Sequence, residues 1–289
     1  MATIGVSKPY FARYNAAAGT VSYSGGGIFA KVTEFGATIN AAEENPFYAD
    51  NGIQENEVAR FGDGALTVTT DDLTNDATIA LLGAALRDVT VGQATVKEIV
   101  YDDDLSSPYL GFGIIIQKKR NGVLRYRAVI FPKVRFAVPA EAATTQGESI
   151  EWQTPTLEGT IFRDDSAKHM WKREMTFATE AEARAYIQAV LNIALGTLTV
   201  ASVAGAESGD TAITVTEDLG SGHVYLYKTG AELTAPALDA VLSEGYTLWD
   251  GVSDITATTG EDILIVEVDK DDYRALKAGI AEVVSNAGT

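Results

Sequence analysis

The chain has 289 residues, of which 40 are acidic and 22 basic, giving a net charge of −18. That balance disfavours binding to nucleic acid or to an anionic membrane surface, because both need a positive patch to displace counterions. There is no cysteine, which excludes disulfides, thiolate metal sites and cysteine nucleophiles. Apolar residues make up 46% of a chain long enough to bury a large core. Apolar runs such as Leu110 to Ile116, counting glycines, fall far short of a membrane span. The opening residues carry Lys8 and Arg13 without the apolar centre of a signal peptide. The expectation is a soluble protein kept in the cytosol, or released by a route other than a signal peptide.

Strand signals dominate the first two thirds. An alternating run begins at Ile28 to Thr33, and Leu66 to Thr69 is another. Leu73 to Leu86 places Ile79, Leu82, Ala85 and Leu86 at helical spacing, with Thr74, Asn75 or Asp76 available as a cap. Gln93 to Tyr101 alternates Val, Ile and Thr with polar residues, as a strand does. The clearest local signal is a hairpin: Ile114 to Arg120 and Val123 to Phe136 flank Asn121-Gly122, a pair suited to a type I′ turn. Pro132 removes one ladder donor from the return strand, so a bulge or an edge is expected there. Further β stretches run from Ser149 to Phe162, broken at Thr154-Pro155, and from Met170 to Phe177. Thr179-Glu180-Ala181-Glu182 reads as a capping box opening a helix to Leu195. Its face of Ala183, Ile187, Val190, Leu191 and Ala194 requires a sheet to cover it.

Composition shifts near Leu195. Residues 196–289 hold 4 basic and 16 acidic side chains, a net charge of −12 in a third of the chain. This segment is rich in Thr, Gly and Ala, with short strands expected at Leu198 to Val203, Ala212 to Thr216, His223 to Lys228 and Asp262 to Val268. Two domains are therefore expected, 1–195 and 196–289, the second a small all-β sandwich or barrel.

Residues capable of catalysis are sparse. The two histidines, His169 and His223, fall in different expected domains. Gly220-Ser221-Gly222 lacks the Gly-x-Ser-x-Gly frame of a nucleophile elbow. Asp102-Asp103-Asp104 and Asp269-Lys270-Asp271-Asp272 offer oxygen ligands, but Arg274 stands where a calcium loop needs glycine, so solvated turns are the expectation. Gly25-Gly26-Gly27 and Gly62-Asp63-Gly64 lack the residues that complete a phosphate cradle. No catalytic residue, metal site or cofactor is assigned, and the protein is expected not to be an enzyme.

Two features point to association instead. Seven basic residues and no acidic one lie between positions 118 and 135, beginning with Lys118, Lys119 and Arg120. A nucleic-acid patch is one reading of this run; the stronger one is that, in so acidic a molecule, the nearest complementary surface is another copy of the chain. Phe47 and Tyr48 sit among acidic and polar residues, and Phe61 follows a polar run, within an aperiodic loop that either a partner orders or its own domain anchors through these rings. Phe47, Tyr48, Phe61, Lys118, Lys119 and Arg120 are thus the candidate subunit-interface residues.

Three stretches resemble the major tail protein family of long-tailed, non-contractile bacteriophages: Met1 to Val6; Asn45 to Gly52, continuing through Arg60 to Val68 and on to Leu82-Gly83-Ala84; and Glu148 to Ile161. The resemblance implies a mainly β fold with helix, a tail-tube β-sandwich or barrel flanked by a helix over residues 1–195. An appended Ig-like or similar β domain would follow at 196–289, exposed on the outside of the tube. It implies a structural virion protein, assembled in the host cytoplasm and resident in the tail. Homohexameric rings would stack into a tube through which genomic DNA passes without specific binding and without a membrane. Tape measure and tail terminator or adaptor proteins would be partners. An inner tube of a contractile tail or injection device is one alternative. Another is a monomeric carbohydrate-binding or adhesion protein stacking sugar on Trp249, Tyr246 or Tyr225.

Overall fold

The computed structural model describes residues 1–42, 44–57, 60–145, 152–220 and 222–288. The chain forms two compact units, Met1–Ile193 and Ala194–Thr289.

The first unit contains β1 (Ala2–Ala17), β2 (Thr20–Ile28), β3 (Val32–Ala41), β4 (Asn45–Ala49), β5 (Gly52–Glu57), β6 (Phe61–Thr70), α1 (Asn75–Leu82), β7 (Ala85–Val91), β8 (Ala94–Val100), β9 (Leu110–Arg120), β10 (Val123–Phe136), β11 (Thr156–Phe162), β12 (Arg173–Phe177) and α2 (Glu180–Val190). Eight strands form one antiparallel sheet in the order β2-β1-β9-β10-β11-β6-β3, with β12 on the first half of β10. The long strand β10 changes partner midway. Tyr126 to Ile130 pair with β12, and Lys133 to Phe136 pair with β11. Pro132 lies between the two blocks, inside a register shift against β9 from Phe131 to Val134. A residue with no N–H fits where one ladder ends and the next begins.

Alternation along the strands gives the sheet two apolar faces. Phe112, Ile114, Val129 and Phe131 point to one side, where Leu81 and Leu82 of α1 complete a buried cluster. Ile115, Ala128 and Ile130 point to the other, where Ala183, Ile187 and Leu191 of α2 cover them. Helix α2 lies so close to β9 that a Cβ at Gly113 would stand 2.6 Å from Ile187 Cγ2, and one at Gly111 2.6 Å from Leu191 Cδ2. The first cluster draws in Phe35 from the far edge strand β3, so the sheet curls while remaining open.

Both helices begin on their expected caps. The Thr74 side chain accepts from Ala77 N at the start of α1. Thr179 and Glu182 form the reciprocal capping box of α2. Helix α1 is shorter than its periodicity predicts, because Gly83 adopts φ 75° and closes it. Ala85 and Leu86 then start β7 rather than prolonging the helix. The alternating run at Ile28 to Thr33 is likewise divided, β2 ending at Ile28 and β3 beginning at Val32. Of the expected strand from Ser149, residues 149–151 lie outside the described residues, and the stretch after Thr154-Pro155 is β11.

The second unit has strands only: β13 (Gly196–Thr197), β14 (Val200–Ala204), β15 (Asp210–Val215), β16 (His223–Gly230), β17 (Thr247–Trp249), β18 (Ile255–Thr256), β19 (Asp262–Asp269) and β20 (Ala275–Glu282). They form a five-stranded sheet, β13-β20-β19-β16-β17, and a three-stranded sheet, β14-β15-β18. Between the sheets lie Ile213, Tyr225, Trp249, Ile255, Ile263 and Ile265. On the outer face of the larger sheet, Leu226, Leu264, Val266 and Val268 meet Leu242 and, less deeply buried, Leu233 and Tyr246. Strand β19 is therefore covered on both faces. The protein as described is mainly β with two short helices.

Candidate assembly surfaces

Two hairpins of the first unit, β4–β5 and β7–β8, form two-stranded sheets of their own, separate from its large sheet among the described residues. Strands β4 and β5 turn at Asp50 and Asn51, with φ of 50° and 65°, the left-handed pair of a type I′ turn. This corrects the expectation of an aperiodic loop: Asp-Asn before Gly52 is a turn signal, because short polar side chains tolerate positive φ. Phe47, Tyr48 and Ile53 on this hairpin are each more than 60% exposed. The second hairpin, β7–β8, exposes Leu86, Val91 and Val96. A lone two-stranded hairpin is marginal in water, so apolar side chains on both hairpins remain to be covered.

Phe61 is placed differently. Its ring stacks on Trp171 at 5.0 Å, with the Arg163 guanidinium 5.7 Å from its centre. Among the described residues, no ring contact joins it to Phe47 or Tyr48. It is half-buried within its own unit.

The basic stretch divides into two groups. Arg127 is paired with Glu174, and Lys133 with Asp165 at 2.7 Å, beneath the rings of Tyr14 and Tyr109. The hydrogen bond from Arg127, reinforced by one from Lys172, holds the Glu174 carboxyl down at about 2. Arg135 lies over Tyr109 and Phe162. These three cations are already engaged. Lys118, Lys119, Arg120 and Arg125 make no ion pair among the described residues, and they cluster where β9 turns into β10 at Asn121 and Gly122. Lys118 stands directly opposite Arg125 in the ladder. Like charges facing one another across strands destabilise a sheet. Val123 beside them is exposed.

In the second unit, a cleft of about 500 Å³ lies beside the edge strand β17. Its walls include Leu219, Tyr227, Leu248, Asp250 and Asp254. Asp250 accepts from the backbone N–H groups of Val252 and Ser253 and from the Ser253 hydroxyl, chiefly the last, and its carboxyl is held down at about 2. Leu248 and Val252 project into solvent. Sequence reasoning missed this cleft, because its residues lie far apart along the chain.

Elsewhere in that unit, Glu267 on β19 is fully buried, 2.5 Å from His223 Nδ1 and 2.9 Å from Lys277 Nζ. Burial pushes its carboxyl up, but the hydrogen bonds from His223 and Lys277 and their charges outweigh that and hold it below the ordinary value. His169, at φ 50°, instead lies near the Asp164 carbonyl. Asp102 to Asp104 form a turn in which Asp104 N donates to Asp102. At the β19–β20 turn, Asp271 N donates to Asp269 and Arg274 pairs with Asp272. Among the described residues, no group of three or more His, Cys, Asp or Glu side chains is placed to hold a metal. Ser221 of the Gly-Ser-Gly stretch lies outside the described residues.

A family model, the S-layer protein SbsC C-terminal domain, matches residues 203–274. It matches only a part of the chain, inside the second unit. Among solved structures, the S-layer protein SbsC, domains 7, 8 and 9, is 18% identical, covering 79% of this chain and 72% of that one at a TM-score of 0.28. A score that low supports no inference about the fold. No curated protein matches.

The family match overturns the tail-protein resemblance and the expectations that followed from it. Withdrawn with it are the stacked hexameric rings, the tape measure and terminator or adaptor partners, the passage of DNA, the place in a virion tail and the contractile-tube alternative. The stretches that carried the resemblance are mostly strand-and-turn signals, such as Asp50-Asn51-Gly52, which unrelated β proteins share. Part of the third stretch, from Glu148 to Glu151, lies outside the described residues. The sugar-stacking alternative also loses its rings. Tyr225 and Trp249 are core residues packed on each other at 5.6 Å, and Tyr246 is half-buried with Lys228 over it.

Proposed function

We propose that this chain is a non-catalytic structural protein of a surface layer, whose copies associate side by side into an extended lattice on a cell exterior. The observation that carries this reading is the match of residues 203–274 to the C-terminal domain of an S-layer protein. The physical features agree with it. Exposed apolar side chains on two free hairpins, together with an unpaired cluster of cations in an acidic protein, are what self-association uses. In this reading the second unit is a compact β module of the lattice, of the two-sheet kind that immunoglobulin-like domains also use.

The test is assembly and its location. Purified full-length protein, concentrated and viewed by negative-stain electron microscopy, is expected to give sheets or open arrays. Antibodies against it are expected to label intact cells of the native source. A species that stays monomeric at high concentration, or an antigen found only after lysis, overturns the proposal.

A further inference from the structure

We infer that the basic tip of the β9–β10 hairpin of one copy seats in the acidic cleft beside β17 of a second copy. This rests on the surface-layer reading and names the contact that would build it. At the tip, strand alternation puts Lys118 and Arg120 on one face, and the ladder adds Arg125 to that face. None of the three has an ion pair among the described residues, although the charge of Arg125 reaches the Glu182 carboxylate, and Lys118 faces Arg125 across the ladder as a like charge. The molecule tolerates this arrangement although it has acidic side chains to spare. Unit by unit, the richest source of negative charge is residues 196–289, which carry two thirds of the net charge.

Within that unit the cleft matches the tip in more than sign. Asp250 and Asp254 supply carboxylates, while exposed Leu248 supplies an apolar wall for Val123. The hydrogen bonds that hold Asp250 and Asp254 come from neighbouring backbone and hydroxyl groups rather than from cations, so neither charge is neutralised. Tip and cleft are different surfaces of the same chain. Their pairing is head-to-tail, which propagates into an open array unless the rotation happens to close. A nucleic-acid partner fits less well. Four clustered cations on a protein of net charge −18 leave the long-range field repulsive to a polyanion.

The experiment uses full-length protein, half of it labelled with ¹⁵N, treated with a zero-length carbodiimide that joins amines to carboxylates. Mixed-isotope cross-links from Lys118 or Lys119 to Asp250 or Asp254 are expected. Links confined to one copy, or running to other carboxylates such as Glu44 and Glu55, overturn the inference. The variant K118E/K119E/R120E, with unchanged circular dichroism, is expected to lose those links and to lower the assembled fraction by at least about tenfold in light scattering. L248K, at an exposed position on the opposite surface, is expected to do the same should the triple variant fail to fold. Raising salt to about 1 M, where the screening length falls to about 3 Å, is expected to dissolve the contact.

Two failures are distinguishable. Wild-type protein that never assembles overturns both this contact and the surface-layer reading. Wild-type and variant proteins that assemble equally overturn this contact alone. Retention of a 20-base-pair DNA by wild type, lost in the triple variant while assembly is unchanged, overturns it in favour of a nucleic-acid site.

Discussion

The ring of Phe35 on β3 stacks on the ring of Phe112 on β9 at 6.1 Å, with only 19° between their planes. In the order of the sheet these strands are separated by β10, β11 and β6. A flat sheet would hold them about 19 Å apart at ordinary strand spacing. Curling brings them together, and Phe131 and Phe136 fill the remaining space.

Phe112→Ala is therefore expected to cost about 3–5 kcal/mol in urea unfolding. Phe35→Ala, at a half-buried position, is expected to cost less. A double-mutant cycle between the two should return a coupling of about 0.5–1.5 kcal/mol. Phe47→Ala, on the exposed hairpin, should change stability by less than about 0.5 kcal/mol in the monomer. Equal losses at Phe47 and Phe112 would refute the placement of these rings.

Gly113→Ala should loosen α2. Its new methyl would stand 2.6 Å from Ile187 Cγ2, so the helix must lift or the side chain must turn. Overpacking of this sort costs about 1–3 kcal/mol. Measured by thermal unfolding, G113A should cost less in an I187A background, where the opposing Cγ2 is gone, than in wild type. Equal costs in the two backgrounds would mean that the helix does not press on β9 at this point.

Thr179→Ala should remove the N-terminal cap of α2, at a cost of about 1 kcal/mol in denaturant unfolding. A spectroscopic readout accompanies it. The Thr179 backbone N–H, and then its hydroxyl, hold the Glu182 carboxyl below its ordinary value. The variant keeps the backbone N–H and loses the hydroxyl, so NMR titration should show that value rising part of the way, and an unchanged titration would exclude the hydroxyl's hydrogen bond to Glu182.

Acid should weaken the second unit through Glu267. Its folded carboxyl titrates below the ordinary value, so it stabilises the fold above the unfolded value of about 4.3. That contribution is lost as pH falls through the lower folded value. Lys277→Met removes one of its partners while His223 remains, leaving a buried carboxylate less well compensated at an expected cost of about 1–3 kcal/mol near neutral pH. Calorimetry from pH 7 to pH 3 on both proteins checks the sign. The variant should lose less on acidification than wild type, since it has less of this interaction left to lose.

The sequence signals that survived folding were local ones. Asn121-Gly122, Thr179 with Glu182, and Pro132 each act through the backbone of a few residues, and each produces its feature in the structure. Where tertiary contacts decide, the signal failed. Ala275 to Glu282 is rich in helix-forming Ala, Leu and Lys, yet it is strand β20, held by eight-residue β19 and by the backbone near Leu198, which leaves no room for a Cβ at Gly279. The β4–β5 hairpin was hidden because Phe47 and Tyr48, adjacent on one strand, are both exposed, as is Ile53 opposite them, so no alternation of apolar and polar residues marks a buried face. The basic tip was legible as a run of charge. Its division into engaged and free cations was not, since Glu174 and Asp165 come from distant strands and loops.

The change of partner along β10 at Pro132 has a kinetic consequence. Along one edge β9 pairs with most of β10; along the other, Tyr126 to Ile130 pair with β12, which packs against α2, and Lys133 to Phe136 pair with β11. One continuous strand thus belongs to two opening units. In deuterium exchange its halves should lose protection at different rates, and G113A, by disturbing α2, should quicken only the half that precedes the proline.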